Sequence, residues 1–130
     1  MKFMMLVKHG ENSGPAPQAL MDAIAILGEE SPQNGTMISS GGLAPTTQST
    51  RVRVSGGKLT VTDGPYSEAK EVIGGFAEFE LQSKQEAIDS AVRFMELHRK
   101  HWPGWEGETE VRQIFSPADF EEHVKVLKSA

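Results

Sequence analysis

Glu71-Val72-Ile73-Gly74-Gly75-Phe76-Ala77-Glu78-Phe79-Glu80-Leu81, followed almost at once by Ser83-Lys84-Gln85-Glu86, is the stretch that decides the fold. Alternation from Phe76 to Leu81 predicts a strand, with Ala77, Phe79 and Leu81 on one face and Phe76, Glu78 and Glu80 on the other. Gly74-Gly75 interrupts the strand and predicts a bulge or a close backbone approach. Ser83 and Glu86 fit a capping box, in which hydroxyl and carboxylate satisfy exposed backbone N–H groups reciprocally. The helix that follows has Ile88, Ala91, Val92 and Met95 as its expected buried stripe and fades between His98 and His101, before Pro103-Gly104. A strand leading directly into a capped helix is one half of an α+β unit.

Toward the C-terminus, Glu108 to Phe115 predicts a last strand, and Ser116-Pro117 starts a short helix from about residue 117. Phe120, Val124 and Leu127 are its expected buried side. Toward the N-terminus, Arg51–Ser55 and Lys58–Thr62 form a hairpin around Gly56-Gly57. Pairing Ser55 with Lys58 sets Val54 opposite Leu59 and Val52 opposite Val61, with Arg51, Arg53, Thr60 and Thr62 on the other face. Thr36 to Ser40 begins a further strand, and Asp63-Gly64-Pro65 is a turn. Between about Pro17 and Glu30, Leu20, Ala23, Ile24 and Leu27 share one helical face, and Pro32 with Asn34-Gly35 ends that helix. Lys2 to Lys8 is the first strand.

The order is β-α-β-(hairpin)-β-α-β-α: an antiparallel sheet with helices on one face, the ferredoxin-like plan of an α+β domain. Its 130 residues suit a single domain, residues 1–130. Helices on one face leave Phe76, Met4 and Leu6 on the other, and a second copy of the chain is the economical cover. The expectation is a face-to-face homodimer with a pocket between its sheets.

Composition narrows the function. Phe3 to Val7 is too short for a membrane span or a signal-peptide core, so a cytoplasmic protein with no membrane partner is expected. With no cysteine, disulfides, thiolate metal sites and a cysteine nucleophile are excluded. The net charge is −5, and Arg51, Arg53 and Lys58 form the densest basic cluster, a solvated strand pair rather than a nucleic-acid site. Gly56-Gly57 and Gly74-Gly75 do not lead from a strand into a helix with a Lys-Ser/Thr pair, so neither is a phosphate loop. No cofactor or metal is expected. His98 and His101 are three apart, but no further ligand spacing supports a metal there, and His98 is expected to be a helix-end histidine favoured by the helix dipole.

The run Thr62-Asp63-Gly64-Pro65-Tyr66-Ser67-Glu68-Ala69-Lys70-Glu71-Val72-Ile73-Gly74-Gly75-Phe76 resembles the signature of the YCII-related DGPF-domain proteins. The opening strand, the Arg51–Lys58 hairpin, the Ser83 helix start and the strand ending at Phe115 resemble that family too, so the likeness runs from Met1 to about Phe120. Tyr66 departs from the Phe of the family name, and its hydroxyl needs a partner. The resemblance implies a dimeric α+β barrel, a poorly defined function and, for many members, a gene beside an extracytoplasmic-function sigma factor. More distant YCII-like relatives include dehalogenase- or lyase-type enzymes acting on small lactones, with a proposed His–Asp pair. Asp63 matches that Asp, but Pro17-Gln18-Ala19-Leu20-Met21 holds no histidine where the relatives have theirs.

Two functions follow as expectations. One is a small-molecule-binding or regulatory homodimer with ligand contacts among Tyr66, Glu68, Lys70, Phe76, Arg53 and Glu78. The other is a cofactor-independent lyase, isomerase or dehalogenase in which Asp63 and His9 act as acid and base. Each residue also has a plain structural use. Asp63 can start its turn, and His9 can be an exposed loop residue. Glu68, Lys70 and Glu71 can form a solvated rim, and Glu78 can form an ion pair with Arg112 or Arg53. Trp102 and Trp105 are expected to pack the helix exit against the last strand, with an aromatic pocket wall as the sharper reading.

Overall fold

The first strand, β1 (Lys2–His9), is central because its side chains alternate cleanly and its two edges are both paired. Phe3 and Met5 point to one side and are buried, while Met4 and Leu6 point to the other and are partly exposed. The computed structural model describes residues 1–11, 13–30 and 37–129. Along the chain follow α1 (Gln18–Glu30), β2 (Met37–Gly42), a 3-10 turn at Thr46–Gln48, β3 (Thr50–Ser55), β4 (Lys58–Asp63) and β5 (Val72–Glu80). Then come α2 (Lys84–His101), β6 (Gly107–Ile114) and α3 (Pro117–Ser129). The turn expected at Pro32 and Asn34-Gly35, and residue Thr36, lie outside the described residues.

Four strands form an antiparallel sheet in the order β2-β5-β1-β6. With the β3–β4 hairpin set aside, β1-α1-β2 and β5-α2-β6 are two β-α-β halves interleaved in the ferredoxin-like order, as the sequence predicts. Phe3, Met5, Phe79 and Leu81 pack with Ala87 and Ala91 of α2 to make the core, and Ala77 and Val111 lie against it. The Gly74-Gly75 expectation holds on both counts. The β1–β5 register shifts between Val7, opposite Gly75, and Lys8, opposite Ile73, so Gly74 is bulged out. A Cβ on Gly74 would lie 2.2 Å from His9 Nε2, so the His9 ring occupies the space that glycine leaves.

The hairpin has the predicted register throughout, from Ser55↔Lys58 to Arg51↔Thr62. Gly56 and Gly57 have φ of 58° and 76°, the left-handed pair that a two-residue turn needs. It forms a sheet of its own, separate from the other four strands.

Both predicted caps are present. Ser83 Oγ accepts from Glu86 N at 3.2 Å, whereas Glu86 Oε2 accepts from Gln82 N at 2.9 Å, one residue before the expected partner. Ser116 Oγ accepts from Asp119 N while Asp119 Oδ2 accepts from Ser116 N, at 3.1 and 3.0 Å. The Ser116 backbone N–H first, and then its side chain, hold the Asp119 carboxyl below its ordinary range.

Two helix faces differ from expectation. In α2 the buried residues are Ala87, Ala91 and His98, while Ile88 and Val92 are exposed and Met95 is only partly covered. Small alanines let the helix approach the sheet closely, so the contact stripe follows them rather than the larger residues beside them. In α3 no residue is buried: Phe120 and Leu127 are exposed and Val124 is partly covered. Among the described residues, its contacts include the ring of Phe115 against His123, with centroids 5.3 Å apart, and they leave Phe120 and Leu127 exposed. On α1 the expected face holds, with Leu20 buried and Ala23, Ile24 and Leu27 partly covered.

The α2 packing is testable by chemical denaturation. Ala87 is 0% exposed, so Ala87→Leu should lower unfolding free energy by about 1–3 kcal/mol through overpacking. Val92 is 54% exposed, so Val92→Ala should change it by only about 0.5 kcal/mol or less. The reverse ranking would restore the stripe expected from the sequence.

Candidate functional site

His9 ends β1 and lies opposite Val72 at the start of β5 and Gly107 at the start of β6. At this end of the sheet, where the exit of α2 also arrives, there is a cleft of about 910 Å³. Glu11, Lys70, Glu71, Trp102, Trp105 and Glu108 are among the residues on its walls. The His9 Nδ1–H donates to the Gly10 carbonyl oxygen at 2.7 Å, and Nε2 is the nitrogen beside Gly74. The ring centroid lies 6.5 Å from that of Trp105.

Trp105 is the centre of an aromatic chain. It stacks with Trp102 at 5.6 Å and lies 4.7 Å from His98, which lies 4.7 Å from Phe94. A Cβ on Gly107 would meet the Trp105 ring at 2.3 Å, so this glycine lets the indole lie against the start of β6. Both sequence readings of the tryptophans therefore meet here: they pack the helix exit on the last strand, and they wall a cleft. Trp105 Nε1 is buried without a hydrogen-bond partner among the described residues.

His98 is only 6% exposed, and its Nδ1–H donates to the Phe94 carbonyl oxygen at 3.0 Å. Burial pushes its pKa down from the ordinary value of 6.5, and the backbone hydrogen bond opposes that shift more weakly. His98 is a helix-end residue as expected, but the help expected from the helix dipole is outweighed by desolvation of the imidazolium. Among the described residues, no three His, Asp or Glu side chains converge to hold a metal ion.

A second cluster lies at the base of the hairpin. Asp63 is exposed, and its Oδ1 accepts from Thr50 Oγ1 at 2.8 Å across the first pair of the β3–β4 ladder. The following Gly64–Pro65 bond is cis, and Gly64 N donates to the Ser49 carbonyl at 2.9 Å. A Cβ on Gly64 would lie 1.8 Å from the Thr46 carbonyl oxygen, so no other residue fits there without moving the backbone. Tyr66 is buried, and its hydroxyl finds the partner it needs in Ser49 Oγ, at 2.7 Å. The Arg51 guanidinium stands 3.5 Å over the Tyr66 ring and forms an ion pair with Glu68. A hydrogen bond from its own backbone N–H, and then Arg51, hold the exposed Glu68 carboxyl below its ordinary range. Arg53, on the polar face of the hairpin, borders the small recess between Arg51 and Glu68 and makes no ion pair among the described residues.

Phe76 and Glu78 occupy a third place, the open face of the sheet. Phe76 is opposite Leu6 and Glu78 is opposite Met4, as the strand alternation requires. The Phe76 ring lies over Gly41, whose added Cβ would come within 3.2 Å of it. Glu78 Oε2 accepts from Ser39 Oγ at 3.1 Å, while Arg112 pairs instead with Glu110 at 3.7 Å. Lys8 also binds Glu110, at 2.6 Å, which raises the lysine and lowers the carboxyl relative to their ordinary pKa values.

The candidate residues thus fall into three groups. Lys70 lines the cleft, with His9 next to its wall residue Gly10; Asp63, Arg53, Tyr66 and Glu68 belong with the hairpin base, and Phe76 and Glu78 with the open face. No hydrogen bond joins His9 to Asp63 among the described residues. Sequence reasoning missed Glu11 and Glu108 as cleft residues and His98 as a core residue. The spacing of Gly10, Trp105 and Gly107 around the strand ends is the signal that could have found the cleft.

Sheet order, helix placement and the glycine-punctuated strand ends define a small α+β protein of the ferredoxin-like kind. The family model for the YCII-related domain matches residues 1–95, and the chain belongs to this family. That match runs from β1 into α2, stopping short of the Phe120 limit of the resemblance described above. No curated protein matches the chain.

His98 gives this region a pH signature. A folded pKa below the unfolded value of 6.5 means that the unfolded chain binds more protons as the pH falls through that value. The melting temperature should therefore fall as pH is lowered from 7 through about 6.5 and below, before carboxylates titrate. In His98→Phe, which keeps a ring in the stack, that part of the pH dependence should flatten. An unchanged slope would mean that His98 is not its source.

Proposed function

We propose that this chain is a small-molecule-binding homodimer with a regulatory rather than a catalytic role, and that the cleft at the end of the sheet is its ligand site. The observation that carries this reading is the meeting of two tryptophans with Lys70, Glu71 and Glu108 around one concavity of about 910 Å³. Aromatic walls offer a face to a flat or cationic group, and the charged rim orients polar substituents. The partly exposed Met4, Leu6 and Phe76 on one sheet face support the homodimer. The regulatory part, a role beside an extracytoplasmic-function sigma factor, takes its support from the family resemblance alone.

Binding stands above acid–base catalysis by Asp63 and His9 because each of those groups has its hydrogen bond close by. The Asp63 carboxylate bonds Thr50 and the imidazole bonds Gly10. Among the described residues, no helix is long and apolar enough to cross a membrane.

Trp102 and Trp105 are the only two tryptophans in the chain, so intrinsic fluorescence reports on the cleft directly. The test is a titration with a panel of small aromatic acids, amines and hydroxy acids. At least one should give a saturable fluorescence change that Trp102→Ala abolishes, without consumption of the compound. A panel with no saturable change, or turnover that Asp63→Asn abolishes with the melting temperature intact, would overturn the binding reading.

A further inference from the structure

The β3–β4 hairpin carries the most exposed apolar surface among the described residues. Val52, Val54, Leu59 and Val61 are between 69% and 72% exposed, and they form one continuous patch because Val54 faces Leu59 and Val52 faces Val61. A two-stranded ribbon is marginal by itself, and its stability depends on packing its apolar face against something. A patch on the order of a few hundred Å² on a soluble chain marks an interaction surface.

The base of the ribbon is held firmly while its length is bare. Tyr66 is buried beneath Arg51 and bonded to Ser49, Thr50 bonds Asp63, and Gly64 N bonds the Ser49 carbonyl. These contacts set the direction of the hairpin where it leaves the body, so it is a preorganised arm rather than a loose loop.

From this we infer that the hairpin is a reciprocal arm: the Val52–Val54–Leu59–Val61 face of each copy packs on the open sheet face, around Leu6 and Phe76, of a second copy. The inference rests on the homodimer reading above and specifies its interface. Three features of the chain select a second copy as the occupant. The sheet face opposite the α2-packed core has an apolar centre of Met4, Leu6 and Phe76, each still partly exposed among the described residues. Three partly exposed side chains offer much less than the roughly 800 Å² that a stable interface takes from each partner, and the well-exposed arm adds apolar area to them. Charge agrees as well: from Thr50 to Thr62 the hairpin carries Arg51, Arg53 and Lys58 and no acid, on a chain of net charge −5. A basic arm is therefore drawn to the acidic body of its twin. Two-fold symmetry satisfies both arms and both faces at once and closes the assembly as a dimer.

The test uses the full chain. Light scattering of the wild-type protein should show a dimer at micromolar concentration. Val54→Asp/Leu59→Asp places charges at two positions that are solvent-exposed in the single chain. It should keep the far-ultraviolet circular dichroism and raise the dimer Kd by roughly 100-fold or more. Because the chain has no cysteine, Leu59→Cys and Leu6→Cys proteins can be mixed and oxidised without background. A disulfide-linked 59–6 heterodimer should form. A dimer that persists in the double variant overturns the arm and leaves the homodimer standing. Loss of the dimer in the double variant without a 59–6 cross-link overturns the sheet as the receiving face. A wild-type monomer overturns both readings.

Discussion

The constraint on which the rest of this structure depends is that β1 is hydrogen-bonded on both edges, to β5 and to β6. A strand in that position cannot shift register or rotate without breaking two ladders. Its alternation therefore divides the whole sheet. Phe3 and Met5, with Phe79 and Val111, go to the side that the helices dry. Met4 and Leu6, with Phe76 and Glu78, go to the other. The same two ladders bring the ends of β5 and β6 to His9, and the cleft forms where these ends meet the exit of α2. Core, open face and cleft are three consequences of one pairing.

Space at the strand ends is made by glycines, each for a different neighbour. Gly74 yields to the His9 ring, Gly107 to the Trp105 ring, and Gly64 to the Thr46 carbonyl. The first makes room at the end of β1, the second shapes the cleft, and the third closes the hairpin base. Asp63, beside Gly64, is consequently part of a folded hinge whose carboxylate bonds Thr50. A resemblance that matches an Asp before a Gly-Pro turn cannot say which neighbour takes its lone pairs. In this chain the neighbour is a threonine across the ladder. The Arg51–Tyr66–Ser49 contacts continue the same local network.

What the sequence made legible was local. The hairpin register followed from two glycines and four alternating apolar residues, because pairing and facing are decided within a dozen positions. Ser83 and Ser116 marked their helix starts because capping hydrogen bonds span only a few residues. The α2 stripe was misread for a long-range reason. Choosing the larger Ile88 and Val92 ignores how closely the helix approaches the sheet, and the closest approach selects Ala87 and Ala91. His98 was read only in part: its helical position suggested help from the helix dipole, but its burial beside Phe94 and Trp105 lowers its pKa instead. The cleft was not legible as a unit, since Glu11, Lys70 and Trp105 lie far apart in the chain and meet only through the strand order.

The apolar face expected on α3 was misread in another sense. Phe120 and Leu127 do share a helical side, yet neither is buried in the single chain. The same holds for Val52, Val54, Leu59 and Val61, whose alternation and register are as the sequence predicts and whose burial is nonetheless low. Period and register report which residues are meant to be covered, and a single chain's solvent exposure reports what that chain covers. Where the two disagree on one element, a weak pattern explains it. Here they disagree on α3 and on the hairpin while agreeing on β1, β5 and α1, so the pattern itself is sound. The disagreement then locates surface that this fold prepares without filling, and the hairpin, held at its base by Tyr66 and Gly64, is the part of it prepared most rigidly.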